Sequence, residues 1–134
     1  MEYLLSFIIG YLFGSIPTAY LLLKRTRGID ITNAGTGNVG AMNSYEVTNS
    51  KSIGIIVLLI DFLKGMIPAL AVLYLLENSF FIASLSVLFA IFSHGFNPWL
   101  GFKGGRGLAT AAGGSTIIFP FLPVAWIVFY ILVY

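Results

Sequence analysis

Most of the residues that could do chemistry fall in two glycine-rich segments. Between Gly101 and Thr110, Lys103 and Arg106 stand among four glycines. Glycine allows close backbone approach to a ligand and positive φ. Successive backbone N–H groups in such a turn form an anion-binding concavity, and two fixed cations beside it make phosphate the natural guest. Lys103, Gly104, Gly105, Arg106 and Gly107 are therefore the expected phosphate-binding residues. The spacing matches neither the GxxxxGK[ST] phosphate loop nor the GxGxxG dinucleotide fingerprint. A loop whose cations merely fix membrane topology is the competing reading. The other segment, Gly35 to Asn43, packs three glycines, Thr36, Asn38 and Asn43 into nine residues. It offers backbone donors, amides and a hydroxyl in one tight turn, and asparagine tolerates the left-handed region such a turn uses.

Three further polar groups stand inside apolar runs. Asp61 and Lys64 are spaced i,i+3 and share one helical face. Each would cost roughly 2.5–3.5 kcal/mol unpaired near the centre of a membrane helix. They read either as a mutual structural ion pair or as a pair orienting a nearby polar site. His94 is the sole histidine, and a lone histidine is more often a hydrogen-bonded structural group than an acid–base catalyst. One histidine and no cysteine argue against a structural metal site. A fourth candidate supporting polar group is Ser15, which lies close to the polar segment that follows the first apolar run.

The elements that position these residues are membrane helices. Of the 134 residues, 58% are hydrophobic and 9% charged, against about 25% charged in soluble domains. The slight positive balance is no nucleic-acid signal, because the cations lie between apolar runs. The N-terminus lacks the basic region of a cleavable signal peptide. The expected fold is all-α, a single membrane domain over residues 1–134, with spans near residues 3–23, 53–76, 80–100 and 111–134. Ser6, Gly10 and Gly14 form a small-residue stripe for close helix packing, and Pro17 should kink or open the first span. Gly54, Gly65 and Pro68 fall near the face of Asp61 and Lys64, which should look into the bundle. Ala83, Ser86, Ala90, Ser93, His94 and Asn97 form an inward stripe in the third span. Glu77 to Ser79 reads as a short turn. The fourth run is still apolar at Tyr134, so the chain reads as part of a longer membrane domain.

Lys24, Arg25, Arg27 and Lys51 lie in the first connection, and Lys103 and Arg106 in the third. The positive-inside rule puts both connections in the cytoplasm. Both glycine segments then share one membrane face, facing a small anion at the bilayer surface.

The residues also resemble a known family. Gly14-Ser-Ile-Pro-Thr-Ala-Tyr20, Gly28-Ile-Asp30, the Gly35–Asn43 segment, Asp61-Phe-Leu-Lys-Gly65 and the stretch from His94 to Thr110 resemble the PlsY-type acyl-phosphate:glycerol-3-phosphate acyltransferases of bacteria. They occur in that family's order and spacing. The resemblance implies a multi-helix enzyme of the bacterial inner membrane, with about seven spans in the family, working in phospholipid biosynthesis. It would move a fatty acyl group from acyl phosphate to the 1-hydroxyl of glycerol 3-phosphate, giving lysophosphatidic acid, without metal, coenzyme A thioester or other cofactor. Its partners would be glycerol 3-phosphate, fatty acyl phosphate, membrane lipid and an enzyme that produces acyl phosphate. The family's catalytic serine falls on Thr36, and its phosphate loop on Lys103 to Gly107. Thr36, Asn38, Asn43 and His94 are then the expected catalytic set. Glu46 and Thr32 stand where arginine is common, and the family's His-Arg-x-Asn motif has no counterpart before Tyr134. Two other classes share the pattern: a non-catalytic homologue that binds glycerol phosphate, and a small anion transporter component.

Overall fold

Helices form along the apolar runs, and three of them stop where proline or glycine withdraws a donor or turns the backbone, at Pro17, Gly28 and Pro120, whereas Pro68 lies inside a continuous helix. The computed structural model describes residues 1–76 and 79–133. Its helices are α1 (Glu2–Gly14), α2 (Thr18–Arg27), α3 (Ala41–Thr48), α4 (Lys51–Leu75), α5 (Phe80–Gly95), α6 (Leu108–Ile118) and α7 (Phe121–Val133), with short 3-10 turns at Ile31–Asn33 and Pro98–Leu100. Among the described residues, three stretches are long and apolar enough to cross a membrane: Glu2–Arg27 taken across its break, Lys51–Leu75 and Phe80–Leu100. At 1.5 Å per residue the 25 residues of α4 reach about 37 Å, more than the roughly 30 Å hydrocarbon core.

Pro17 breaks the first span as expected. Helix α2 then continues to Arg27, because Lys24, Arg25 and Arg27 in its last turn suit the negative end of the helix dipole and Gly28 caps it at φ 67°. The polar segment beyond is not all loop, since α3 forms inside it. Ser50 accepts the Ile53 N–H at the start of α4, and Ser79 accepts the Ile82 N–H at the start of α5. Of the expected turn at Glu77 to Ser79, Glu77 and Asn78 lie outside the described residues.

The fourth run is not one continuous helix. It divides into α6 and α7 at Phe119-Pro120. Pro120 has no N–H to give and pushes Phe119 out of the helical region, to φ −139° and ψ 79°. With 11 and 13 residues, the two pieces are about 16 and 20 Å long, so neither crosses a bilayer alone. None of the described residues of α7 is buried.

Small residues bring the long helices together. Ser6 donates to the Ile82 carbonyl oxygen at 2.7 Å, and a Cβ at Gly10 or Gly14 would run into the backbone of Ser86 or Ala90. The α1 stripe is thus the seam with α5. Gly65 meets the Thr110 carbonyl and Gly113 the Phe62 carbonyl, which seats α4 on α6. Two apolar clusters flank the polar middle of α4. One gathers Ala19, Leu23, Ile31, Val39, Ile53 and Val57; the other gathers Ala69, Val72, Ile82, Ala83, Val87 and Ile118. Asp61 and Lys64 fall between them along the helix.

Gly65→Ala is expected to destabilise the bundle by about 1–3 kcal/mol, since the new methyl group must push α4 off α6. Denaturant unfolding in detergent measures this, and an unchanged midpoint would mean the two backbones do not touch here.

Candidate functional site

The break in the first span governs the site. Pro17 has no N–H, and the turn around it leaves the Ser15 and Ile16 carbonyls outside the helical ladder. Such groups need partners at membrane depth. Asn97 Nδ2 donates to the Ser15 carbonyl at 2.8 Å, and Lys64 Nζ donates to the Ile16 carbonyl at 2.9 Å. Ser15 Oγ donates to the Leu12 carbonyl and accepts the Trp99 indole N–H at 3.2 Å. Asn97 also receives the Trp99 backbone N–H on its side-chain oxygen and the Phe102 N–H on its carbonyl. The broken helix is therefore bolted to the foot of the second glycine segment. Ser15 acts in this joint and does not reach the cavity described below.

Asp61 and Lys64 form an ion pair, Nζ to Oδ1 2.8 Å, with both side chains about 4% exposed. Lys64 thus serves the pair and the broken helix together. Among the described residues this is the only ion pair.

The first glycine segment is braced by one side chain. Asn43, buried in the first turn of α3, accepts the Thr36 N–H on Oδ1 at 3.0 Å. Its Nδ2 donates to the carbonyls of Asn38 at 2.9 Å and Ala34 at 3.1 Å. Both amide hydrogens are used, so the side chain braces the backbone of this segment while it also lines the cavity described below. Gly35 and Gly37 take φ values of 58° and 74°, which few other residues accept. Just upstream, Asp30 accepts the Thr32 hydroxyl at 2.6 Å and its N–H at 3.0 Å. That hydroxyl bond, the Thr32 N–H and the attraction of Lys24 and Lys103 hold the Asp30 carboxyl below its ordinary 3.8 against a partial desolvation.

The two glycine segments meet. The Val39 N–H donates to the Gly104 carbonyl at 3.3 Å, and the Gly105 N–H to the His94 carbonyl at 3.1 Å. A side chain at Gly105 would strike the His94 imidazole, and one at Gly104 the carbonyls of His94 and Gly95. Between the segments lies a polar cavity of about 370 Å³ lined by Thr36, Asn38, Asn43, Glu46, Asp61, His94, Arg106 and Gly107, together with Met42, Leu58, Leu108 and Ala109. Gly107, at φ 73°, caps the N-terminus of α6, so the positive end of that helix dipole faces the cavity.

This arrangement divides the expected phosphate loop. Arg106 and Gly107 line the cavity, whereas Lys103, Gly104 and Gly105 do not. Gly104 and Gly105 instead spend backbone groups stitching the segments together. Lys103 is exposed. Thr36, Asn38, Asp61 and His94 come together as the expectation required, and Lys64 supports Asp61 from behind. The spacing of residues did not reveal Trp99 as a bolt on Ser15; its place just after Asn97, where the helix ends, is the one sequence signal for it. Among the described residues no three His, Cys, Asp or Glu side chains cluster as a metal site would require.

A second, apolar groove of about 420 Å³ runs between α5, α6 and α7, with Val87, Ile91, Leu108, Ile118, Leu122 and Trp126 among its walls. Leu108 lines both spaces, so the polar cavity and the apolar groove adjoin.

Known proteins share this architecture. The glycerol-3-phosphate acyltransferase family profile matches residues 4–134. Over 128 residues the chain is 41% identical to the glycerol-3-phosphate acyltransferase of Pelagibacter ubique, covering 96% of this chain and 65% of that protein. Over 104 residues it is 50% identical to that of Geobacter metallireducens, covering 78% of this chain and 52% of the relative. The crystal structure of PlsY, an integral membrane glycerol 3-phosphate acyltransferase, in its glycerol 3-phosphate form superimposes with a TM-score of 0.86 at 33% identity, covering 99% of this chain and 66% of that one. Its lysophosphatidic acid form gives 0.81, also at 33% identity, over 96% and 62%. The chain thus spans between about half and two thirds of the length of these relatives.

Asn43→Ala removes three hydrogen bonds from a buried brace and is expected to cost about 1–3 kcal/mol. Hydrogen exchange should show the Thr36 amide losing protection while the middle of α4 keeps it; equal protection in both proteins would remove Asn43 from this role.

Proposed function

The chain belongs to the glycerol-3-phosphate acyltransferase family, and from that premise we propose that it transfers a fatty acyl group from acyl phosphate to the 1-hydroxyl of glycerol 3-phosphate. The products are lysophosphatidic acid and inorganic phosphate. The reading rests on one observation above the others: two glycine segments close on a single polar cavity that contains Arg106 and adjoins an apolar groove. A site that makes an amphiphile from a small polar anion and an acyl chain needs both spaces side by side. The glycerol 3-phosphate and lysophosphatidic acid forms of PlsY, whose fold this chain shares, support the same substrate and product.

An acyl phosphate is already activated, so the residues mainly position the reactants and stabilise charge. The substrate hydroxyl oxygen bonds to the acyl carbon, the bond from that carbon to the phosphate oxygen breaks, and the hydroxyl proton leaves with the phosphate. Arg106 and the N-terminus of α6 hold phosphate oxygens. Lys103, exposed beside them, draws anions toward the opening. Thr36, Asn38 and His94 orient the reacting groups, and Asn43 keeps Thr36 in place. The acyl tail lies in the groove against Leu108, Ile118 and Trp126, reached from the lipid. The cations of the first and third connections set this face toward the cytoplasm of a bacterial inner membrane, where an acyl-phosphate-producing enzyme supplies the donor for phospholipid biosynthesis.

The decisive assay supplies acyl phosphate and labelled glycerol 3-phosphate to membranes carrying the protein. Lysophosphatidic acid formed in proportion to the protein is expected; phosphate flux without it would replace this reading with transport. Replacing Lys103 and Arg106 together with alanine should weaken glycerol 3-phosphate binding about tenfold or more, the scale of one lost charge-assisted hydrogen bond. Unchanged affinity, read by calorimetry in detergent, excludes the loop from phosphate binding. Glu46 lines the same cavity, where its charge opposes an anion. Glu46→Arg should therefore tighten glycerol 3-phosphate binding several-fold, and weaker binding would place Glu46 in contact with another part of the substrate.

A further inference from the structure

The end of the first span carries charge that the fold leaves unanswered. Lys24, Arg25 and Arg27 fill the last turn of α2, and all three are exposed. The helix end favours cations there, but Lys24 and Arg27 stand at i and i+3 and repel one another. Asp30 is the acidic residue nearest in sequence, and its carboxylate already accepts the Thr32 hydroxyl and N–H. Among the described residues the only ion pair is Asp61 with Lys64, so none of these three cations has an acidic partner.

The turn that ends the third span lies beside this patch. Lys24 and Lys103 both attract the Asp30 carboxylate, and Leu100 packs against the apolar cluster that holds Leu23 and Ile31. Two aromatic residues of that turn point away from the protein: Trp99 is 69% exposed and Phe102 67%. The Trp99 indole N–H is turned inward to Ser15 Oγ, which leaves the ring outside. Phe102 takes φ 62°, a conformation that costs an aromatic residue free energy. With most of its surface exposed, it gains little from packing inside the protein to offset that cost.

Exposed cations beside exposed rings at the end of a span suit the membrane–water interface, where rings sit at headgroup level and cations meet lipid phosphates. We propose that Lys24, Arg25 and Arg27, with Trp99 and Phe102 beside them, form a docking site for the headgroup of an anionic phospholipid of the surrounding membrane. The three cations hold the phosphodiester, and the rings pack against the glycerol and the start of the acyl chains. A zwitterionic lipid offers the same phosphate but brings its own cation, which this patch repels. None of the five residues lines the polar cavity, and the proposal does not rest on the acyl-transfer reading. The bound lipid bridges the first span and the foot of the third, the same segments that Asn97 and Trp99 join through Ser15.

Fluorescence quenching localises the lipid. Trp126→Phe leaves Trp99 as the one tryptophan. The full chain is reconstituted into phosphatidylcholine vesicles containing either brominated phosphatidylglycerol or brominated phosphatidylcholine. The anionic lipid should quench Trp99 as though bound about fivefold more tightly, the scale of one cation at a membrane surface, and high salt should bring the two lipids toward equality. Equal quenching at low salt overturns the proposal without any further variant. Lys24→Gln/Arg25→Gln/Arg27→Gln, which leaves Lys103 in place, should bring the ratio to about one; a native ratio in this protein overturns the proposal. At matched ionic strength, excess inorganic phosphate or glycerol 3-phosphate should leave the native ratio unchanged. A ratio that falls with either one assigns the cations to soluble anions and overturns the lipid site. Thermal unfolding in neutral detergent tests the ring. Glycine takes φ 62° freely, so Phe102→Gly should fold, yet it should gain less stability from added phosphatidylglycerol than the native protein does. A merely structural ring would shift the starting temperature and leave that gain equal, which overturns the place of Phe102 in the site.

Discussion

Lys64 makes one contact that the rest of the site depends on: its ammonium holds the Ile16 carbonyl that the proline break leaves outside the helix. The same carbonyl accepts the Thr18 N–H at 2.9 Å, so the break is bridged within the first span, and Lys64 adds a charge-assisted hydrogen bond that ties it to α4. The break is what frees the Ser15 carbonyl for Asn97, and Asn97 in turn anchors the turn that starts the second glycine segment. Asp61 completes the arrangement by giving Lys64 a counter-charge. One cation on α4 thereby links the first span, the foot of the third and the floor of the polar cavity.

The glycine segments have a division of labour that follows from backbone chemistry. Each residue has one N–H, and an N–H already donated inside the protein is not free for a ligand. The Val39 and Gly105 amides are spent joining the segments and seating them on α5. Gly104 and Gly105 are small because His94 and the end of α5 press against them, so they shape the cradle rather than fill it. On the proposed reading, ligand contact then falls to Arg106, Gly107 and the first turn of α6, which line the cavity and where a side-chain charge and a helix dipole point the same way. Four glycines that looked alike in sequence have different tasks because their neighbours differ.

Much of this was legible from residue type and spacing. Ser6, Gly10 and Gly14 recur every fourth residue, and that period alone places them on a packing seam. Asp61 and Lys64 at i,i+3 had to share a face and to turn inward, since lipid offers them no partner. Pro17 had to disrupt the first span. What spacing could not supply was which groups answer the disruption. The partners of Ser15 and Ile16 come from Asn97, Trp99 and Lys64, 48 to 84 residues away, and no local pattern encodes such pairing. The split of the fourth run has a different origin: its hydropathy is continuous, and Pro120 alone marks the break, as Pro17 does in the first span. Hydropathy measures where a segment can reside; it does not measure whether one helix fills it.

The charge pattern of the cavity limits what the site can hold. Arg106 and the N-terminus of α6 favour an anion, whereas Glu46 and Asp61 oppose one. Two carboxylates against one guanidinium would make a poor site for a bare phosphate. They make a better site for a molecule that carries a phosphate at one end and hydrogen-bond donors at the other. On the proposed reading, glycerol 3-phosphate is such a molecule. Lys64, 2.8 Å from Asp61, neutralises one of the two carboxylates without lining the cavity, so on that reading Arg106 and the start of α6 have only the charge of Glu46 to outweigh.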